Sequence, residues 1–348
     1  MNDVIPLIKQ WTKEAKPFAI ARVLETWGSS PRQVGSVLVI SSEGELAGSV
    51  SGGCVEGAVV KEAKTLIGTG GFKVLNYGVT DDDAWSVGLS CGGKIKLLLQ
   101  DLTNSNSPLN QLLTGETADE HGKIVITTFS GNHLKECVMS GDLVQGDSLP
   151  VSIKSKAMEL LRARRSQVVE EGDEFYFVHV FPKKSQLLII GAAHITVDLV
   201  SLASSFDFET IVIDPRGAFT NKTQFKTPPD RIFENYPSEV LSEFDLDENT
   251  FAVVLSHDPK IDDNALHILL KSGVAYIGAL GSRKTHEKRI ARLKDAGYSQ
   301  QEIDRIESPI GVDIHAVGAR EIALSIMGSL VRERNAPHAK AQSPQRMN

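Results

Sequence analysis

From Gln186 onward the chain repeats one unit, a short apolar run, a glycine or polar turn and an amphipathic stretch, and this alternation leaves few folds open. Leu187-Leu188-Ile189-Ile190 carries no polar residue, which fits a strand covered on both faces rather than on one. Gly191-Ala192-Ala193-His194 reads as a turn, Ile195 to Ser204 has helical spacing, and Thr210-Ile211-Val212-Ile213 is a second apolar strand ending in Asp214. Phe251 to Leu255 and Val274 to Ala279 repeat the pattern around a helix over Asp263 to Lys271. Strands alternating with helices predict a parallel sheet with helices on both faces, an α/β Rossmann-like domain. Gly191 permits a sharp turn, the helix after it points its amides at an anion, and an acid about 20 residues on suits a ribose hydroxyl pair. The remaining glycines of that fingerprint are replaced by Ala193 and Thr196, and Thr196 is expected to crowd the helix against the strand. Ser256-His257-Asp258, Gly281-Ser282-Arg283 and the segment Pro309 to Asp313 follow later strands, at the edge where open sheets bind ligands.

The first half follows a different pattern. A helix over residues 4–16 ends at Pro17, and strands are predicted at Phe18 to Trp27, Ser36 to Ile40 and Leu46 to Val50. A helix from about Val55 to Ile67 and strands at Phe72 to Tyr77 and Lys94 to Leu99 follow. Beyond the polar stretch at residues 103–107, strands are read at Ile124 to Phe129 and Phe175 to Phe181, a helix at Lys154 to Arg165, and Gly141 to Gly146 as a turn-rich join. At 348 residues the chain is long enough for two cores. The organisation expected is a mixed α+β domain over residues 1–182, a Rossmann-like domain over 183–335, and a disordered tail over 336–348.

Formal charge is −7, with basic residues scattered apart from the run Arg283 to Lys294, which argues against nucleic acid or a membrane surface as principal partner. No segment reaches the ~20 apolar residues of a membrane span, and a cytoplasmic location is expected. The three cysteines, an odd number, fit a reducing compartment.

Two of those cysteines sit against glycine pairs, in Ser51-Gly52-Gly53-Cys54 and in Ser90-Cys91-Gly92-Gly93. A lone cysteine is most often a small buried hydrophobe. A thiol at the start of a helix, with glycines leaving its sulfur open, is instead suited to a nucleophile or a soft metal ligand. Four closely spaced ligands are absent and neither turn has the spacing of a structural zinc site. Cys137 lacks glycine context and reads as core.

The segments Gly28-Ser29-Ser30-Pro31-Arg32, Ser49 to Gly57, Gly88 to Gly93, Gly278 to Arg283 and Pro309 to Ile314 together resemble the XdhC/CoxI family, accessory and maturation factors of xanthine dehydrogenase-type molybdenum hydroxylases. The resemblance implies an N-terminal XdhC/CoxI domain, a C-terminal Rossmann domain and a chaperone that binds molybdenum cofactor. It further implies help with sulfuration of the cofactor beside a cysteine desulfurase, insertion into the apo-hydroxylase, and a homodimer. On that reading Cys54 and Cys91 hold the metal or sulfur end, Ser51, Gly52 and Gly53 offer backbone donors, and Arg32 is an anion partner. Gly191, His194, Asp214, Ser282 and Arg283 hold a nucleotide or the pterin phosphate, and one ligand gripped at both ends would lie between the domains. Two other readings are open: an NAD(P)-dependent oxidoreductase using the Rossmann half, and an interaction scaffold between hydroxylase and desulfurase.

Overall fold

The computed structural model describes residues 4–28, 32–78, 93–103, 106–115, 122–131, 133–141, 143–217 and 225–342, the last six by backbone alone. The chain divides into two compact units, Met1–Lys183 and Lys184–Asn348.

Unit 1 is built on two antiparallel sheets. The first has the order β3-β2-β1-β5-β4, from β1 (Phe18–Trp27), β2 (Val37–Ser41), β3 (Leu46–Gly48), β4 (Phe72–Tyr77) and β5 (Lys94–Asp101). The second has the order β8-β7-β6-β10-β9, from β6 (Lys123–Ser130), β7 (His133–Ser140), β8 (Leu143–Gly146), β9 (Gln167–Glu171) and β10 (Glu174–Phe181). Alternation along β1 and β5 explains the layering. Ala19, Ala21, Val23, Ile95, Leu97 and Leu99 point one way, into a cluster with Val55, Val59, Ala63 and Leu66 of the helix α2 (Glu56–Leu66). Leu24 and Leu98 point the other way and meet Phe177 of the second sheet. That sheet's far face, with Ile124, Ile126 and Val178, takes Ile153, Ala157 and Leu160 of α4 (Val151–Arg162). The layers therefore run helix, sheet, sheet, helix, while α1 (Ile5–Lys13) and α3 (Pro108–Thr114) close a further cluster around Trp11, Ile20 and Val125. Gly141 to Gly146, expected as a turn, instead contributes β8, which pairs with β7 from Cys137↔Gly146 to Ser140↔Leu143.

A charged group is sealed between the two sheets. Arg22 of β1 is 0% exposed, and its guanidinium donates to Gln100 Oε1 (2.7 Å), Glu136 Oε1 (3.1 Å) and Thr127 Oγ1 (3.1 Å). Burial lowers its pKa and the adjacent Glu136 opposes that, so the pair survives only because each partner neutralises the other. Beside it His179 Nε2 lies 3.0 Å from the Gly35 carbonyl. A carbonyl can only accept, so Nε2 carries the proton, and burial together with Arg22 pushes the imidazole pKa down to about 3. This bond ties the β1–β2 connection to the second sheet.

Unit 2 is a six-stranded parallel sheet of order β13-β12-β11-β14-β15-β16. The strands are β11 (Ser185–Ile190), β12 (Phe208–Ile213), β13 (Arg231–Phe233), β14 (Thr250–Val254), β15 (Tyr276–Ala279) and β16 (Ile306–Glu307). This is the doubly wound Rossmann order, with its switch point between β11 and β14. One face packs on α7 (Pro259–Leu269) and Leu293 of α8 (Arg283–Asp295), the other on α5 (His194–Ser205) and α10 (Ala319–Gln342). The short helices α6 (Pro237–Val240) and α9 (Gln300–Ile303) complete the α/β fold. The last helix runs to Gln342, into the stretch 336–348 expected as a disordered tail, and residues 343–348 lie outside the described residues. Among the described residues no helix is long and apolar enough to cross a membrane.

Two of the conspicuous segments are explained by packing here. A Cβ on Gly278 would lie 2.4 Å from Ile310 Cδ1, and one on Gly311 (φ +97°) would lie 2.3 Å from Ser325 Oγ. Ser325 Oγ donates to the Val312 carbonyl (2.6 Å), and Glu307 accepts from Gly311 N (3.1 Å) and Ser329 Oγ (2.7 Å). Pro309 to Val312 thus locks β15 and β16 to α10.

Candidate functional site

Strand register places the first unit's conspicuous segments at one end of the first sheet. Gly48 at the end of β3 pairs with Leu38 near the start of β2, β1 ends at Trp27 opposite Lys94, and β4 ends at Tyr77 opposite Ile95. The loop Ser49–Val55, the β1–β2 connection carrying Arg32, Gly78 and Gly93 all emerge there. Arg32 is exposed and Cys54 is half-buried against the cluster that also receives Leu75 and Tyr77. Cys91 lies outside the described residues. Among the described residues no three His, Cys, Asp or Glu side chains gather as a metal site.

The loop is organised by Glu56, the first residue of α2. Its Oε1 accepts from Ser49 Oγ (2.7 Å), Ser51 N (3.0 Å) and Val50 N (3.2 Å). Its Oε2 accepts from Ser51 Oγ and from Gly53 N (2.9 Å). Ser49 Oγ in turn accepts from Gly52 N (2.9 Å), and Ser51 Oγ from Val55 N (2.9 Å). Burial works against an ionised carboxyl, but the Ser51 and Ser49 hydroxyls and the Ser51 amide outweigh it and bring the Glu56 pKa down to about 2. The amides of Ser51, Gly52 and Gly53, expected as donors to a ligand, are therefore engaged within the loop. The group the loop presents at the helix start is Cys54, carried on a backbone that these bonds fix. Gly52 (φ +78°) and Gly53 (φ +113°) occupy left-handed conformations that glycine takes without strain. Gly57 is different: it is helical, and a Cβ there would meet nothing within 4 Å. A helix gains about 0.5–1 kcal/mol from alanine over glycine, so the bare position has no packing cause among the described residues and leaves room for close approach from outside.

In the second unit Gly191, Asp214 and Ser256 converge at the switch point. A Cβ on Gly191 (φ +106°) would lie 2.6 Å from the Ser256 backbone, so β11 and β14 close on one another at their carboxyl ends. Thr196 does not push α5 away; its Oγ1 donates to the Gly191 carbonyl at 2.6 Å and pins the helix. Asp214 is fully buried and accepts four hydrogen bonds, from Ala192 N (2.8 Å), Arg216 N (2.9 Å), Arg216 Nε (2.9 Å) and Arg216 Nη2 (2.8 Å). Burial disfavours its charge, yet Arg216 and the Ala192 amide hold its pKa below the usual carboxylate range. A carboxylate so saturated has no lone pair for a ribose hydroxyl, and this counts against the nucleotide role expected of Asp214. Arg216, which no sequence signal marked, shows its guanidinium at the crevice instead and also reaches the Ser256 carbonyl (3.3 Å). Below it Ser256 Oγ donates to Asp262, which lies 3.5 Å from the buried Arg289. Burial raises the Asp262 pKa and lowers that of Arg289. His194 is exposed in the first turn of α5, and Ser282 caps α8, accepting from Thr285 N (3.3 Å) with exposed Arg283 next to it.

Known proteins bear on both units. The family model of XdhC and CoxI matches residues 11–78, and that of the XdhC Rossmann domain matches residues 187–330. A Bacillus subtilis protein described as a probable xanthine dehydrogenase subunit is 23% identical over 96% of this chain and 98% of its own length. "Molybdenum cofactor insertion chaperone PaoD" of Escherichia coli is 25% identical over 92% of this chain and 84% of its own. A crystal structure described as a xanthine dehydrogenase from Bacillus halodurans superposes with a TM-score of 0.79 at 25% identity, covering 96% of each chain. With both domain models matched in chain order, and with a two-unit α/β architecture that carries them, the chain belongs to the XdhC/CoxI family.

Proposed function

We propose that this chain carries molybdenum cofactor as cargo and inserts it into an apo xanthine dehydrogenase-type hydroxylase. The observation that carries the reading is the half-buried Cys54 at the start of α2, in a loop fixed by five hydrogen bonds to Glu56. A thiolate there offers a soft donor to the molybdenum centre. Its surroundings suit holding rather than turnover, since the carboxyl that organises the loop is kept ionised and spent on the loop's own donors. Cys91 is the proposed second sulfur and Arg32 the anion partner at the same sheet end. Ser51, Gly52 and Gly53 act by shaping the loop. Gly191, His194, Ser282, Arg283 and Arg216 line the proposed anion-binding edge of the second unit, without Asp214. Two relatives named for xanthine dehydrogenase and for cofactor insertion support the assignment. Sulfuration beside a cysteine desulfurase, a homodimer and action in the cytoplasm belong to the same proposal.

The test is reconstitution. Cofactor-loaded chain incubated anaerobically with apo-hydroxylase is expected to restore hydroxylase activity, and Cys54→Ser to lose most of that transfer while remaining folded. Transfer by Cys54→Ser equal to that of the unaltered chain overturns the role of the thiol and favours a scaffold. Tight NAD binding with turnover and no cofactor retention overturns the carrier reading.

A further inference from the structure

The end of the first sheet opens into a cleft of about 490 Å³ lined by Trp27, Gly28, Asn76, Tyr77, Gly78, Lys94 and Ile95. We propose that this cleft seats the fused pterin ring of the cargo, a planar heteroaromatic bicycle with a phosphate-bearing arm; the proposal rests on the carrier reading above. The volume falls in the range of small-molecule sites, roughly 300–1,000 Å³. Trp27 ends β1 with half its surface (50%) in water, an arrangement that leaves a large ring face for stacking. Tyr77 supplies a second aromatic wall, and burial raises its pKa, so its hydroxyl stays protonated. The Asn76 amide offers both a donor and an acceptor, which is what the edge of a pterin presents in return. Lys96 is spent on Glu25 (3.2 Å) and on the Phe175 ring (5.9 Å), whereas Lys94 lines the cleft and can meet an anionic arm. Gly78 lets the chain close on that lysine, since a Cβ would lie 3.1 Å from Lys94 Cγ.

The full chain is titrated with a 6-substituted pterin monophosphate, read by quenching of the pterin's own fluorescence, with guanosine monophosphate and inorganic phosphate as parallel probes. The pterin phosphate should bind saturably, and Trp27→Ala should weaken it about fivefold to a hundredfold, the range of ring stacking on an aromatic side chain. Trp27→Phe should recover most of the affinity. Lys94→Gln should weaken the phosphorylated probe and leave the unphosphorylated pterin unchanged. Urea unfolding of each variant establishes that it is folded. Wild-type affinity in both Trp27→Ala and Lys94→Gln overturns the cleft, as does guanosine monophosphate binding as tightly as the pterin. If the chain retains and transfers intact cofactor while both variants bind like wild type, the cleft falls and the carrier reading stands. If the pterin probe binds with these sensitivities but no transfer occurs, the carrier reading falls and the cleft stands.

Discussion

Replacing Glu56 with glutamine tests the mechanical basis of the site. The carboxylate collects five donors on two oxygens, whereas an amide offers one acceptor oxygen and one donor nitrogen. With the amide oxygen turned to Ser49, Val50 and Ser51, its nitrogen faces the Gly53 N–H, and that donor loses its acceptor. The drop of the Glu56 pKa from 4.5 to about 2 corresponds to about 3 kcal/mol at full value. The group is only half-buried, and solvent screening reduces this to about 1–2 kcal/mol. The sign follows from linkage. The folded chain keeps Glu56 ionised at pH values where the unfolded chain protonates it, so its contribution is complete above pH 4.5 and is lost as pH falls towards 2. Urea unfolding at pH 7 should show unit 1 of Glu56→Gln weakened by about 1–2 kcal/mol, with a shallower loss of stability between pH 4.5 and 2 than wild type. Alkylation of Cys54 by iodoacetamide should change in rate, because the loop that fixes it is loosened. Equal urea midpoints at pH 7 together with superimposable acid profiles would refute the reasoning.

Other outcomes follow from the same geometry. Arg22→Met strands Glu136 between the sheets and should cost about 3–5 kcal/mol by urea unfolding, far more than exchanging both partners for apolar residues. His179, held down to about 3, should show no NMR titration between pH 5 and 8; because the unfolded chain protonates it below 6.5, stability should fall as pH drops from 6.5 towards 3. Gly57→Ala should raise thermal stability by about 0.5–1 kcal/mol yet weaken cofactor retention, a pairing of signs that a merely structural glycine would not give. Equilibrium dialysis should detect no NAD bound through Asp214, and Arg216→Ala should not create such binding, since it leaves Asp214 buried with a missing partner.

The alternation from Leu187 to Ala279 was enough to read the Rossmann half, because a strand buried on both faces must be apolar throughout and cannot be mistaken for loop. The second sheet of unit 1 was much less legible. His133 to Ser140 and Gln167 to Glu171 carry Lys135, Glu170, Glu171 and a buried Glu136 whose partner, Arg22, is far away in sequence, so local pattern gave no sign that they were strands. The Cys54 loop was found by its glycines, but its organising group was not, although Glu56 stood three residues after Gly53 in the same stretch; a carboxylate placed just after a Ser/Gly run is the signal to look for. Asp214 had the right spacing for a ribose, and only the three-dimensional structure exposes Arg216 folding back on it. Trp27, Tyr77 and Lys94 come from three strands and meet through register alone, which no linear motif records.

The central claim is that Cys54 holds the molybdenum end of the cargo. Molybdenum K-edge absorption of the cofactor-loaded chain addresses it directly. A protein-derived molybdenum–sulfur scattering path, beyond those of the dithiolene and lost in Cys54→Ser, is the predicted result. Identical spectra and equal cofactor retention in the two proteins would contradict it.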